Sequence, residues 1–407
     1  MKVEFEKSYN WTQLEDQWYA RWLKKDYFTG DENSSNESFS IVIPPPNITG
    51  KLTMGHVLNN TIQDVLIRKA RMEGKNTCWI PGIDHASIAT ETKVVKMLEE
   101  MGIEKEQLSR EEFLDHAWKW KEKYGGIIID QLKKLGCSCD WKRQKFTMDD
   151  DYSRSVIKAF VHLYNKGFIY KGHRLVNWCP SSQSAISDEE VIHKEISGKL
   201  WYFKYPIEKD KSFLVVATTR PETLLGDTAI AVNPEDERYA HLVGSYANIP
   251  IVNRKVPIIA DEHVDPKFGT GCVKVTPAHD PNDFEIGKRH DLEFINIMND
   301  DASLNENVPQ DFQGLSRERA RKEVIKRMNL ENLLEKTEDH INNIGFSERG
   351  NVPIEFYMSE QWYMKMNKLV KPALDAVNDG KIKFYPNHWV KTYNHWMKNI
   401  NDWCISR

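Results

Sequence analysis

The chain has 407 residues, of which 40% are hydrophobic and 29% charged, a balance typical of a globular protein with two or three domains. No apolar run is long enough to cross a bilayer, and the N-terminus lacks the basic and apolar segments of a secretion signal, so the sequence predicts a cytoplasmic protein. The formal net charge of −4 does not indicate a nucleic-acid partner, and does not exclude one, because a local basic face is enough to bind RNA.

The six cysteines are few and irregularly spaced, which is typical of buried thiols in a reducing compartment. Cys137 and Cys139 are separated by one residue, which is shorter than the usual zinc-ligand spacing. Cys179 would begin a Cys-x-x-Cys pair, but Ser182 stands at the second position and residues 345–349 contain no cysteine. The sequence therefore predicts no zinc site.

The first part of the chain predicts the opening of a doubly wound parallel α/β sheet. Apolar residues recur at helical spacing, which predicts helices in residues 10–26, 55–73, 110–135 and 151–166. Short apolar runs predict strands in residues 39–43 and 77–80, the first of them ended by three prolines. Because strand, loop, helix and strand follow one another, we expect ligands at the carboxyl ends of the strands.

Near residue 195 the pattern changes to short β-rich runs bounded by glycine, proline or aspartate, at residues 200–205, 213–218, 249–252, 256–260 and 271–275. These runs predict a β-barrel-like α+β domain in residues 195–342. It is inserted into the α/β domain of residues 1–194, which returns in residues 343–407. The returning segment is predicted to be extended in residues 352–357, helical in residues 362–377 and strand-like at its end.

A first candidate site lies where the second predicted helix begins, at Thr53, Gly55 and His56. The N-terminus of a helix attracts phosphate through its free N–H groups and its dipole. A histidine there can donate a hydrogen bond to a phosphate oxygen as charge develops on it. By itself the pair Gly55-His56 is weak evidence, since capping or packing accounts for it better.

A second candidate residue, Asp84, directly follows the second predicted strand. A carboxylate in this position is well placed to hold the ammonium group of a substrate. The alternative is an N-cap for the next helix, a position that aspartate favours. The spacing does not separate the two roles.

A third cluster lies on loops of the predicted insert and combines hydroxyl, carboxylate and basic side chains: Arg220, Thr223, Lys274, Thr276, Asp280 and Asp283. Neither a Ser-His-Asp order nor a metal-ligand spacing is evident, so the set predicts hydrolysis by a positioned water. Turn and capping roles account for Thr223 or Asp283 singly, but poorly for the whole set.

Several segments, taken in order, resemble the class I aminoacyl-tRNA synthetases: Pro44-Pro-Pro-Asn47-Ile-Thr-Gly50, Met54-Gly55-His56, Asn177-Trp-Cys-Pro180, Thr218-Thr-Arg-Pro-Glu-Thr223 and Gln361-Trp362. The loop Pro81-Gly-Ile-Asp84-His85-Ala-Ser-Ile-Ala-Thr90-Glu91 points to the valyl branch. The resemblance runs from about residue 8 to residue 407. It implies a Rossmann-like catalytic domain that activates valine with ATP and transfers it to tRNA(Val), with an inserted domain that hydrolyses mischarged threonyl-tRNA(Val).

The resemblance also implies roles for single residues. His56 would stabilise the α-phosphate while the valine carboxylate attacks it. Pro45 and Asn47 would line the valine pocket, and Asp84 would hold the amino group of valine. Thr53 stands where the family usually has its first histidine, and a threonine hydroxyl can donate a hydrogen bond but carries no positive charge.

In the inserted domain, the resemblance implies that Asp280 holds the amino group of the mischarged aminoacyl-adenosine. Asp283 and Thr223 would read the threonine hydroxyl, and Arg220, Lys274 and Thr276 would complete the recognition. Editing is a physical necessity, because an apolar pocket that accepts valine cannot strongly reject an amino acid of the same shape with one added hydroxyl.

In the family, the chain continues into a Lys-Met-Ser-Lys-Ser loop and an anticodon-binding domain. We therefore expect this chain to be a part that retains editing more readily than synthesis. The expected partners are tRNA(Val), valine and ATP with Mg²⁺, and the expected state is a monomer.

Two alternatives remain open at this stage. A free-standing deacylase is disfavoured by the retained Pro45, Asn47, His56 and Asp84, since a pure hydrolase has no use for an activation site. A non-enzymatic RNA-binding module is disfavoured by the intact charged set of the insert.

Overall fold

The computed structural model describes residues 11–208, 212–267, 269–348 and 350–407. The chain forms two compact units, Met1–His162 and Leu163–Arg407, each with its own apolar core. The described residues contain no helix that is long and apolar enough to cross a membrane.

The first unit opens with parallel strand pairing around a crossover helix. Its elements are α1 (Trp11–Lys24), β1 (Ser38–Val42), α2 (Met54–Met72), β2 (Asn76–Ile80), β3 (Gly82–Ile83), α3 (Ser87–Glu100), α4 (Arg110–Lys134), β4 (Lys145–Phe146) and α5 (Asp150–Asn165). The last three residues of α5 fall in the second unit. Strands β1 and β2 pair in parallel with α2 between them, and β3 pairs in parallel with β4. The predicted β-α-β opening is therefore confirmed.

The elements predicted in this part agree with the observed ones to within two residues, apart from residue 10, which lies outside the described residues. Helix α3 was considered only as the helix that Asp84 would cap, and its bounds were not predicted. Its N-cap position is Ala86, which has a φ of 52° and supplies no side-chain cap, so the usual N-terminal signal is missing.

The core beneath these elements consists of buried apolar side chains that include Ile43, Ile67, Trp79, Ile128 and Leu132.

The second unit is rich in antiparallel strands. Its elements are β5 (Ile169–Cys179), β6 (Ser184–Ile186), β7 (Val191–Pro206), β8 (Phe213–Thr218), β9 (Ala229–Val232), β10 (Tyr246–Ile249), β11 (Arg254–Ala260), β12 (Cys272–Val275), α6 (Pro281–Arg289), α7 (Arg317–Leu330), β13 (Leu334–Ser347), β14 (Glu355–Met364), α8 (Asn367–Asn378), α9 (Trp389–Lys398) and β15 (Trp403–Cys404). The strand orders in its sheets are β10-β11-β9-β12, β13-β7-β8 and β15-β14-β5-β6. Closure of these strands into a barrel stays a prediction.

Strands β7 and β13 form a long antiparallel ribbon that the sequence did not reveal at its full length. The predicted limits of the insert fall inside this ribbon, where Glu195 lies opposite Asn343. The two compact units meet instead at residues 162 and 163. The three-segment domain organisation therefore stays a prediction.

Two predicted elements in this part are wrong. The strand predicted at residues 249–252 ends at Ile249, because the chain turns through Ile251 and Asn253, which have φ values of 69° and 49°. The helix predicted from residue 362 starts at Asn367, because Gln361 and Trp362 still pair with β5. Aromatic and apolar residues in that stretch satisfy both periodicities.

Phe312 is fully buried in the larger apolar core of the second unit. Phe312→Ala removes a packed ring and leaves a cavity, so we expect the free energy of unfolding to fall by about 3–5 kcal/mol in urea denaturation. Phe213→Ala is the matched control, since Phe213 is 49% exposed, and it should cost less than about 1 kcal/mol. Equal losses in the two variants would contradict this packing.

Candidate functional sites

A cavity of about 600 Å³ opens at the N-terminus of α2 in the first unit. The residues that line it include those predicted to contact valine and ATP, namely Pro45, Asn47, Thr53, Gly55 and His56. Lys51 and Lys93 line the same cavity and bring positive charge that the sequence analysis did not assign. A cavity at a helix N-terminus with two lysines in its lining is suited to a phosphorylated ligand.

Thr53 orients His56. The Thr53 backbone N–H donates to His56 Nδ1 at 3.1 Å, and the Thr53 hydroxyl lies 2.8 Å from the same nitrogen. Since a backbone N–H can only donate, Nδ1 is the acceptor and the proton of the neutral ring lies on Nε2. The Nε2–H group is thereby left as the donor for a ligand oxygen. The threonine that replaces the expected histidine thus contacts the remaining one directly.

Asp84 lies beside this cavity but outside its lining. Its backbone bridges to the proline loop, with Asp84 N–H donating to Pro46 O at 2.9 Å and Ile48 N–H donating to Asp84 O at 3.0 Å. Its carboxylate accepts from Ala86 N–H and from the Thr147 hydroxyl, both at 3.1 Å. Because Ala86 holds the N-cap position of α3, the alternative of a capping aspartate is not what the structure shows. Its role toward an ammonium group stays a prediction.

In the second unit, Lys274 is buried and its ammonium group donates three hydrogen bonds. The acceptors are Thr223 Oγ1 at 2.9 Å, Asp227 Oδ1 at 2.9 Å and Thr276 Oγ1 at 2.6 Å. The structure therefore brings together three residues of the predicted hydrolytic set, around a carboxylate that the prediction did not include. Burial raises the pKa of Asp227, while the adjacent Lys274 acts in the opposite direction.

Asp280 and Asp283 stand at the N-terminus of α6, next to this cluster. Asp280 is the N-cap, and its Oδ1 accepts from the N–H groups of Asn282 at 2.8 Å and Asp283 at 3.2 Å. Asp283 Oδ2 accepts from Thr276 N–H at 2.8 Å. Burial, reinforced by the charge of Asp280, raises the pKa of Asp283 to about 7. A carboxyl group that exchanges its proton near neutral pH is suited to general acid–base chemistry.

His279 precedes these aspartates but is not a candidate base. It is fully buried, and burial lowers the pKa of His279 to about 3. Its Nε2 accepts from Ile297 N–H at 3.0 Å, and its backbone carbonyl accepts from Arg220. His279 therefore has a structural role beside the site.

Arg220 is held by buried carboxylates rather than standing free. Its guanidinium contacts Glu355 directly, lies 3.7 Å from Glu222 Oε1 and donates to the carbonyl of His279 at 3.0 Å. Arg321 donates two hydrogen bonds to Glu222, both at 2.7 Å. The predicted contact of Arg220 with a substrate stays a prediction, and the structure shows it fixing the 3₁₀ turn Pro221–Gly226.

Sequence reasoning assigned no role in this site to Asp227, Glu222, Glu355 or Tyr205, although Glu222 and Asp227 lie in or directly after the segment that carries Thr223. A signal for Asp227 was present, because Lys274 lies between valines on β12 and a lysine on a buried strand needs a carboxylate partner. The other three gave no comparable signal, since no lone charge on a predicted buried strand pointed to them.

Cys179 is buried, and among the described residues no group of three or more His, Cys, Asp or Glu side chains is arranged to hold a metal ion. Residue 349, in the segment considered for further zinc ligands, lies outside the described residues. The expectation that this chain has no zinc stays a prediction.

The raised pKa of Asp283 makes a testable contribution to stability. A carboxyl whose pKa is higher in the folded than in the unfolded protein stabilises the fold fully below about pH 4, and this stabilisation is lost as the pH rises to about 7. Asp283→Asn removes the titration but keeps an oxygen for Thr276 N–H. The free energy of unfolding of the variant, measured by urea denaturation relative to that of the wild type, should therefore be higher at pH 8 than at pH 5 by on the order of 2 kcal/mol.

The control is Glu285→Gln, which removes one carboxylate from the exposed side of the same helix and so matches the change in net charge. If both variants show the same dependence on pH, the burial of an ionisable Asp283 carboxyl is contradicted.

The family model of the tRNA synthetases class I (I, L, M and V) matches residues 17–407. The chain is 55% identical to the valine–tRNA ligase of Christiangramia forsetii over 98% of its own length and 45% of that protein. It is 53% identical to the Bacteroides fragilis valine–tRNA ligase and 51% identical to that of Clostridium tetani, over its whole length and 46% of each. The chain thus spans about half the length of these curated relatives.

A crystal structure of an Agrobacterium radiobacter K84 LeuRS in a ternary complex with tRNA and LeuAMS is similar at a TM-score of 0.40 and 18% identity, over 86% of this chain and 49% of that one. This similarity is too distant to support a comparison of sites. The family match, in contrast, covers nearly the whole chain. The chain belongs to the class I tRNA synthetases of the I, L, M and V group.

Proposed function

We propose that this chain is part of a valine–tRNA ligase, which activates valine with ATP and transfers it to tRNA(Val). The observation that carries the proposal is identity of 51–55% to proteins of that name over 98–100% of the chain. The family match from residue 17 also favours a ligase over a free-standing deacylase, because it includes the cavity at α2. A cytoplasmic location and a monomeric state belong to the same proposal.

The cavity at α2 would be the activation site. Attack of the valine carboxylate on the α-phosphate requires positioning and neutralisation of charge more than a covalent nucleophile. His56 would donate its Nε2–H to a phosphate oxygen, with the α2 N-terminus and Lys93 adding positive potential. Pro45 and Asn47 would contact the amino acid. Mg²⁺ would arrive with ATP, bound to its phosphates.

The cluster around Asp283 would be the editing site for threonyl-tRNA(Val). Asp283 would accept a proton from water as the water oxygen bonds to the ester carbonyl carbon. The ester bond to the ribose oxygen then breaks, and that oxygen takes up a proton. Asp280 would hold the ammonium group of the amino acid.

Discrimination would rest on polar groups that only threonine satisfies. The Thr223 hydroxyl already donates to Arg220 O at 2.9 Å and accepts from Lys274, so the threonine hydroxyl would be read mainly by Asp283. Valine cannot form a hydrogen bond with this carboxyl group, and would leave the oxygen that Thr276 N–H does not reach without a partner in a buried site.

Hydrolysis of purified threonyl-tRNA(Val) and valyl-tRNA(Val) by this chain tests the proposal. We expect the threonyl ester to be lost at least about tenfold faster, because its hydroxyl satisfies the buried polar groups. Asp283→Asn should slow the loss by about 100-fold or more, since it removes the general base. Glu285→Gln, on the exposed face of the same helix, is the control and should behave as the wild type.

Equal rates for the two esters would contradict the selectivity. If folded Asp283→Asn hydrolyses threonyl-tRNA(Val) at the wild-type rate, Asp283 is not the general base. If the chain binds a threonyl-adenosine analogue but does not hydrolyse threonyl-tRNA(Val), editing by this chain as proposed is contradicted.

A further inference from the structure

Asp227 is fully buried and accepts hydrogen bonds at both carboxylate oxygens. Lys274 Nζ and Thr276 Oγ1 donate to Oδ1 at 2.9 and 2.6 Å, and the buried Tyr205 hydroxyl donates to Oδ2 at 2.7 Å. These partners come from β7 and from β12 with the residue that follows it. Asp227 thus joins two strands to the 3₁₀ turn that carries Thr223.

The same contacts limit what Lys274 can do. An ammonium group has three N–H donors, and those of Lys274 are engaged by Thr223, Asp227 and Thr276. Lys274 therefore has no N–H left for a substrate while Asp227 holds it. Its influence on the site passes through Thr276, whose backbone N–H donates to Asp283, and through its charge.

We propose that Asp227 is a positioning residue of the hydrolytic site: it fixes Lys274 and Thr276, and its charge offsets that of the lysine, so that Asp283 faces an ion pair instead of a lone cation. The catalytic consequence rests on the proposed function. The electrostatic effect on Asp283 does not.

The charged groups that face Asp283 act in opposite directions. Burial is the largest influence and raises the pKa of Asp283, and the carboxylates of Asp280 on α6 and Asp227 on the loop add to it. Lys274 on β12 and the N–H of Thr276 lower the pKa. Loss of the Asp227 charge therefore leaves the lysine to act alone, which shifts the titration of Asp283 to lower pH.

Asp227→Asn tests this with little change in shape. The amide oxygen still accepts from Lys274 and Thr276, so the substitution removes mainly the charge. With aspartate carboxyls labelled with ¹³C, NMR should show the Asp283 titration midpoint about one pH unit or more below the wild-type value. The hydrolysis of threonyl-tRNA(Val), measured from pH 5 to pH 9, should show the same displacement of its midpoint and a lower maximal rate.

The control is Asp236→Asn, which removes another largely buried carboxylate, one that pairs with Arg238 outside the site. It should leave the Asp283 midpoint unchanged. An unchanged midpoint in folded Asp227→Asn overturns the proposal, even if the rate falls, because a purely structural residue would alter the rate alone.

If Asp227→Asn does not fold, two further variants test the proposal. Lys274→Met alone should raise the Asp283 midpoint, and Lys274→Met with Asp227→Asn should return it toward the wild-type value, since both opposing charges are then gone. Equal midpoints in these two variants overturn the proposal.

The failure of this inference and that of the proposed function are distinguishable. If the wild type hydrolyses neither ester, the editing proposal fails. The carboxyl titration requires no substrate and still decides whether Asp227 controls Asp283.

Discussion

A lysine cannot be buried as a cation without an anion and further hydrogen-bond acceptors around it, because removing a charge from water costs several kcal/mol. Lys274 has Asp227 as its anion and the hydroxyls of Thr223 and Thr276 as the remaining acceptors. This requirement places β12, the 3₁₀ turn and the start of α6 at fixed positions around one point. The candidate hydrolytic site is arranged around that ion pair.

The two candidate sites of the chain use helix N-termini in opposite ways. At α2, the N-cap N–H donates to the ring of His56, a neutral side chain. The cavity that His56 lines also contains Lys51 and Lys93, an arrangement suited to a phosphate. At α6, the carboxylate of Asp280 occupies the free N–H groups, so the terminus is already satisfied by an anion of the protein. That second arrangement suits an ammonium group and a water molecule better than a phosphate.

The sequence predicted what depends on local periodicity and on motifs. The β-α-β opening, strand β8 and the placing of Thr53, Gly55 and His56 at the start of α2 agree with the structure. The predictions for residues 249–252 and 362–366 were wrong. In the first segment the chain turns at residues with positive φ, and in the second the end of a strand has apolar residues that also fit helical spacing. The lysine on buried strand β12 required a carboxylate partner, but the sequence did not single out Asp227 for that role, because it lies 47 residues from Lys274 and 22 from Tyr205 in the chain. Such pairings are decided by tertiary packing.

The most direct test of the account is a crystal structure of this chain with a non-hydrolysable threonyl-adenosine analogue. The account predicts the amino group of the analogue at Asp280 and its side-chain hydroxyl at Asp283. It also predicts that Lys274 still donates to Asp227, Thr223 and Thr276. A structure in which Lys274 has left Asp227 to contact the analogue, or in which the analogue is bound away from α6, would contradict it.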